Sequence, residues 1–329
     1  MRPWLQGRFA QAEQKFLQMR AEVPGNFNTS ILVWQSEMEM ERGRFAAAAA
    51  LLNEAKKANA PDIRGMAQRR FGCLLLSVGR FSEAEKNALE DRRWDGDVHT
   101  LKLKFPMDLV TLGEVFLIGG RFSEAIQIFQ QAQALAKKVS SIDGYEWFRA
   151  QVNIAFAYLE MGQLELAAEA SQRALAEADR EWGTPSIPVM DALDVMGAVQ
   201  LARSDLKSAA ESLSRSMQAR ESLYGPRHPK VAESYMHAAM LSWAEGNRDE
   251  AIRLTSESLA VEQSLAAGGP NARWAMARLA AAELLTKAGE ANDALDCYQS
   301  AIPILERELG SDTPRVAEAR KRFSALSGQ

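Results

Sequence analysis

Three histidines (His99, His228 and His237) and two cysteines (Cys73 and Cys297) are the side chains of this 329-residue chain best suited to hold a metal or serve as nucleophile and base. A zinc site needs several such ligands in close pairs, and a catalytic triad needs a nucleophile, a base and an orienting acid in recognisable loops. None of the five stands in such a pattern, and the flanks of both cysteines read as helix, which makes the thiols reduced packing residues. Asp191 and Asp194 share one helix face and could pair as acid and base, yet a helical chain with 43 acidic residues produces such pairs by chance. No glycine-rich phosphate loop, nucleophile elbow or zinc motif occurs. The chain therefore reads as non-catalytic, with no catalytic residues, no metal and no cofactor.

Binding is the function left, and charge narrows the partner. A formal net charge of −4 gives no overall basic surface to neutralise phosphates, so nucleic acid is not an expected partner. No apolar run approaches the roughly 18 residues that span a bilayer, and the opening Met1-Arg2-Pro3-Trp4-Leu5-Gln6-Gly7 is no signal peptide. No membrane association and a cytoplasmic location are the expectations.

The elements that would carry a binding surface announce themselves by a repeated turn. Gly7-Arg8-Phe9, Gly43-Arg44-Phe45, Gly79-Arg80-Phe81 and Gly120-Arg121-Phe122 recur, each followed by Ala12, Ala48, Ala84 or Ala125. Weaker copies begin at Gly162, Ser204, Gly246 and Gly289, followed by Ala167, Ala209, Ala251 and Ala294. Successive anchors lie 36, 36, 41, 42, 42, 42 and 43 residues apart, the period of a two-helix unit. A glycine can take the left-handed conformation that ends one helix, the Phe or Leu after it starts the buried stripe of the next, and the small Ala lets the paired helix come close.

Gly113, Phe116, Gly120, Phe122, Ala125, Phe129 and Ala132 match, position by position, the tetratricopeptide repeat, which the chain resembles along nearly its whole length. The longer later period and the loop Leu223-Tyr224-Gly225-Pro226-Arg227-His228-Pro229 are similar to the kinesin-light-chain-type bacterial subgroup. The resemblance implies an all-α, right-handed superhelical solenoid of helix-turn-helix repeats forming a single unit over 1–329. Its expected divisions are a truncated first repeat at 1–27, repeats at 28–60, 61–98, 99–143, 144–186, 187–229, 230–270 and 271–313, and a capping helix at 314–329. Ser204, Arg248 and Ala291 depart from the motif, so copies six and seven are expected to pack more loosely. The first copy lacks its helix A. Either a partner covers that exposed face or a longer protein precedes it, the second being preferred.

In this family helix A of each unit lines the concave groove. Counting back from each turn places Arg69, Met107, Glu114, Arg149, Asn153, Phe156, Asp194, Met236, Met240, Trp243 and Met276 on the candidate binding surface. Methionines and aromatics suit apolar side chains of varied shape, hence an amphipathic helix or an extended peptide. Arg69, Arg70 and Arg149 could meet an acidic stretch. The family's chaperone-tail clamp is absent, since its positions hold Glu37, Cys73, Glu114, Phe156, Ala198, Met240 and Glu283. Only Asn153 keeps the subgroup's repeated Asn; Trp34, Arg70, Thr111, Val195, His237 and Ala280 replace it elsewhere. Two readings stay open: a scaffold or adaptor that binds a peptide or helix of another protein, and the ligand-responsive sensor part of a larger regulator such as a transcription factor or kinase. Self-association through the N-terminal face is compatible with either.

Overall fold

The chain is seen in a computed structural model that describes residues 3–22, 26–89, 105–138, 144–266 and 269–328; His99 lies outside them. Among these residues the chain is helical throughout, with a 3-10 turn (Pro3–Gln6) and sixteen α-helices. Helix α1 (Phe9–Glu22) is followed by pairs that cross at the repeated turn: α2 (Asn26–Glu41) with α3 (Phe45–Ala55), α4 (Pro61–Ser77) with α5 (Phe81–Ala88), α6 (Pro106–Ile118) with α7 (Phe122–Lys138). The series continues with α8 (Tyr145–Glu160) and α9 (Leu164–Glu181), α10 (Ile187–Ala202) and α11 (Leu206–Tyr224), α12 (Pro229–Ala244) and α13 (Arg248–Leu265), α14 (Ala272–Ala288) and α15 (Ala291–Leu309). The last helix, α16 (Pro314–Ser327), buries Val316 and Ala319 against α15 as a cap. The fold is a solenoid.

Each turn is built the same way. In the second copy the amide of Arg44 donates to the Glu39 carbonyl at 2.8 Å and that of Gly43 to the Met40 carbonyl at 3.0 Å. These bonds satisfy carbonyls that the end of a helix leaves without partners, and they require a left-handed residue between. All eight alanines of the motif are at most 1% exposed, which is why nothing larger serves there. A Cβ on Gly113 would lie 2.5 Å from the Phe129 ring, so the small residue in helix A is the condition for the aromatic in helix B.

The eight turns differ in one respect that local pattern does not reveal: the first four are docked. A Cβ on Gly7 would strike the Leu223 side chain at 2.9 Å, one on Gly43 the His228 ring at 3.0 Å, one on Gly79 the Arg273 amide nitrogen at 2.6 Å, and one on Gly120 the Arg315 amide nitrogen at 3.0 Å. At Gly162, Gly246 and Gly289 nothing lies within 4 Å. Main-chain bonds lock the docked edge: His228 Nε2 lies 3.1 Å from the Glu41 carbonyl, the Arg315 amide donates to the Gly119 carbonyl at 3.1 Å, and its Nε donates to the Ile118 carbonyl at 2.7 Å. The superhelix is thus coiled so tightly that the turns of a first tier rest on a second, the first turn on the end of α11 and the next three on the starts of α12, α14 and α16. The docked turns are the four with Gly-Arg-Phe. Ser204 holds the left-handed conformation at φ 63° in a turn of the undocked set.

Two expectations change. The face of the first repeat is not left bare: Trp4 and Leu5 are 3% and 0% exposed, Trp4 packs on Phe16 with ring centres 5.5 Å apart, and Phe9 faces Tyr224 of α11 at 6.3 Å. Nor does the replacement of the aromatic by Arg248 leave a gap. Its guanidinium donates to the Ala288 carbonyl at 2.9 Å and pairs with Glu290 at 2.5 Å, tying one turn to the next.

Replacing Gly79 or Gly246 by Ala forces a Cβ into a left-handed residue in both cases, at roughly 1–2 kcal/mol. Only at Gly79 does the new methyl also meet backbone of the other tier. Gly79→Ala is therefore expected to lower the melting temperature further than Gly246→Ala and to raise the radius of gyration in small-angle scattering, whereas Gly246→Ala leaves that radius unchanged. Equal radii for the two variants would contradict the docking role.

Candidate functional site

The two tiers line a cavity of about 640 Å³ that is open to solvent. Its first-tier wall comes from the later turns of α2, α4 and α6, which contribute Glu37 and Glu41, Arg70 and Cys73, and Glu114. Its second-tier wall comes from the opening turns of α10, α12 and α14, with Asp191 and Asp194, Lys230 and Glu233, and Arg273. Helix α8 runs between them and lines the cavity along most of its length, from Tyr145 through Arg149, Val152 and Asn153 to Phe156.

Ionic networks make up most of the polar surface. Arg149 Nη2 donates to both oxygens of Glu114 at 2.7 and 2.8 Å, and Asn153 Nδ2 donates to the same carboxylate at 2.9 Å. Arg70 lies between Glu37 at 3.1 Å and Glu146 at 3.5 Å. Arg220 reaches Asp191 at 2.9 Å, Asp194 at 3.1 Å and Ser234 Oγ at 3.0 Å. Lys230 adds a second cation to Asp191 at 2.8 Å, and His237 Nδ1 is 3.1 Å from Asp194. Arg273 holds Glu262 at 2.7 and 2.8 Å. The His237 ring stacks on Phe156, centres 6.5 Å apart.

Proton affinities follow from these neighbours. Burial alone would raise the carboxyl of Asp194, but the charges of Arg220 and His237 overcome it and hold the group well below the usual range. Asp191 is lowered in the same way, against burial, by Lys230 and Arg220. For His237 burial opposes the proton and Asp194 outweighs it, so its pKa rises. Glu41 is different: burial dominates and raises it, and its carboxylate accepts a hydrogen bond from the Tyr145 hydroxyl at 3.2 Å.

Of the side chains singled out from sequence, Glu114, Arg149, Asn153, Phe156, Asp194, Met236 and Met276 line this cavity together. Arg69, Met107, Met240 and Trp243 do not. Arg69 stacks over the Phe105 ring at 3.6 Å while its neighbour Arg70 faces the cavity. Met240 is 37% exposed outside it, and Trp243 packs on the cluster of Ala239, Ala251, Leu254 and Leu284. The reason is the coiling. In the first tier the later turns of each helix A face the interior, so Met107 falls short, while Arg69 stands a step of about 100° around α4 from the inward Arg70; in the second the early turns do, so Met240 and Trp243 lie beyond. Lys230 and Arg273, at helix starts, were not singled out, nor was Arg220, which enters from a helix B. Its position behind Asp191 and Asp194 had no signal in the repeat pattern.

Segments 148–179 and 274–315 match models of the tetratricopeptide repeat. Both segments are tetratricopeptide repeats. No curated protein matches the sequence of the chain. Among solved structures it is similar to a Rap protein complexed with competence and sporulation factor, at 13% identity and TM-score 0.61 over 98% of this chain and 93% of that one. It is similar also to NprR in complex with its cognate peptide NprX, at 14% identity and TM-score 0.59, covering 96% and 84%. A third is in the Cut9–Hcn1 hetero-tetramer of APC/C, at 14% identity and TM-score 0.58, covering 97% and 53%. At these identities the likeness is one of fold. Among the described residues, no helix is long and apolar enough to cross a membrane.

His228 links this site to the docking of the tiers. Its Nδ1 accepts from the Lys230 amide at 3.2 Å, capping α12, while Nε2 faces the Glu41 carbonyl; an imidazolium could not accept at Nδ1. Burial, with Lys230 beside it, pushes its pKa from 6.5 down to about 3. A depressed histidine pKa means that the unfolded chain takes the proton first, so stability from His228 is full above pH 6.5 and drains as pH falls toward about 3. His237, raised, runs the other way and loses its contribution as pH rises through its folded pKa. Replacing His228 by Ala is expected to lower the urea midpoint at pH 7 and to flatten its decline between pH 7 and 4. An unchanged decline would place the acid sensitivity elsewhere.

Proposed function

We propose that the chain binds a short peptide in extended conformation inside the cavity between the tiers. The observation that carries this reading is the wall itself, where prearranged donors and acceptors alternate with apolar surface along α8. An extended segment offers its backbone polar groups to such a wall along its whole length, whereas a helix satisfies them within itself. An extended backbone must find partners for its amides and carbonyls. Asn153 is suited to that: its Nδ2 is held by Glu114, which orients the amide. Val152, Phe156, Met236 and Met276 provide the apolar contacts. The solved structures of Rap with competence and sporulation factor and of NprR with its cognate peptide support the reading by analogy of fold.

The same geometry favours a sensor over a passive scaffold. A peptide lying along α8 touches both tiers, so binding stabilises the coiled form by the usual mass-action term. Random five-residue peptide mixtures are expected to raise the melting temperature of the wild type by a few degrees. Phe156→Arg, which fills the cavity, should abolish the shift, and Asn153→Ala should weaken affinity about tenfold, the loss of one or two hydrogen bonds, with circular dichroism unchanged. A peptide that binds both variants as it binds the wild type would sink the assignment of the cavity.

A further inference from the structure

We infer that the ligand of this cavity is cationic, its positive charge met by the carboxylates of Glu41 and Glu233. This deepens the peptide reading and rests on it. The argument is one of charge already spent and charge left over. Each of the five permanent cations lining the cavity, Arg70, Arg149, Arg220, Lys230 and Arg273, is within 3.1 Å of a carboxylate. An anionic ligand would have to compete with the carboxylate that each of these cations already holds. The acids are not all matched. Glu41, on α2 of the first tier, and Glu233, on α12 of the second, both line the cavity, and among the described residues neither has a cation within the 4.0 Å of an ion pair.

The two surplus carboxylates belong to one neighbourhood. Lys230 lies in the field of both, yet its ammonium is bound to Asp191 at 2.8 Å. Glu233 is exposed to the cavity, ready for a partner, and burial of Glu41 makes its charge costly until one arrives. A lysine or arginine side chain, or the free amino terminus of a peptide, supplies that partner. A small polyamine offers the same chemistry without a peptide backbone, and the experiment separates the two.

The full chain and a Glu41→Gln, Glu233→Gln variant, matched in helicity by circular dichroism, are immobilised and offered five-residue peptide mixtures, acetylated and amidated, with Lys, Gln or Glu fixed at one position. Retention is read by mass spectrometry. The Lys mixture should be retained about tenfold more than the others by the wild type, the effect of one charge-assisted contact, and the variant should lose that preference. Equal or better retention of the Gln or Glu mixture, or a Lys preference that survives in the variant, overturns the inference. If no mixture is retained, the peptide reading fails. Calorimetry with spermidine then decides the charge: heat with the wild type and none with the variant keeps a cationic ligand, and no heat with either ends it.

Discussion

The approach of four turns to the next tier, three of them to its helix starts, is the contact on which the remaining architecture depends. It is possible only because the turn residue has no Cβ: at Gly79 such an atom would sit 2.6 Å from the Arg273 amide nitrogen. In an ordinary repeat a glycine there serves the left-handed turn and nothing else, as at Gly246. Here it also sets the distance between tiers. That distance narrows the open groove of a loosely wound solenoid into a cavity lined from both tiers, and it decides which end of each helix A faces inside.

What was legible in the sequence was local. The turn, the buried Ala after it and the helix pair around it repeat within about 40 residues, so each copy reinforces the same reading. The docking joins Glu41 to His228 and Gly119 to Arg315, residues too far apart for any periodicity to connect. A trace of it was present: Gly-Arg-Phe marks the docked turns and the degenerate copies mark the free ones, a division first visible as mere decay of the motif. The site followed the same rule. Arg149, Asn153 and Phe156 line the cavity because α8 lies midway and faces it along most of its length, and Glu114 joins them from the last turns of α6. Arg69 and Trp243 do not line it: Arg69 stands one residue, a step of about 100° around α4, from the inward Arg70, and Trp243 lies at the far end of α12.

The interior is ionic where a solenoid core is otherwise built of Ala and Leu. Buried ion pairs contribute little net stability, since desolvation offsets attraction, but removing one member costs about 3–5 kcal/mol because its partner is stranded. Each network joins different helices: Arg149 of α8 to Glu114 of α6, Arg70 of α4 to Glu37 of α2 and Glu146 of α8, Arg220 of α11 to Asp194 of α10. Such links fix the spacing of neighbouring helices more narrowly than apolar contact, which tolerates sliding. The wall of the cavity is therefore arranged before any ligand arrives, and a ligand need not meet the cost of arranging it.

Helix α8 is where these constraints meet. Its first residue, Tyr145, reaches the Glu41 side chain of the first tier, its middle holds Glu114, and Phe156 stacks against His237 of the second tier. A ligand along this helix contacts both tiers at once, so its affinity includes whatever free energy separates the coiled arrangement from a looser one. Linkage makes the relation reciprocal: a change that loosens the docked turns must weaken binding, and binding must tighten the turns by the same factor. The glycines at the docked turns and the carboxylates in the cavity thus belong to one equilibrium, although no side chain of the first set touches the ligand.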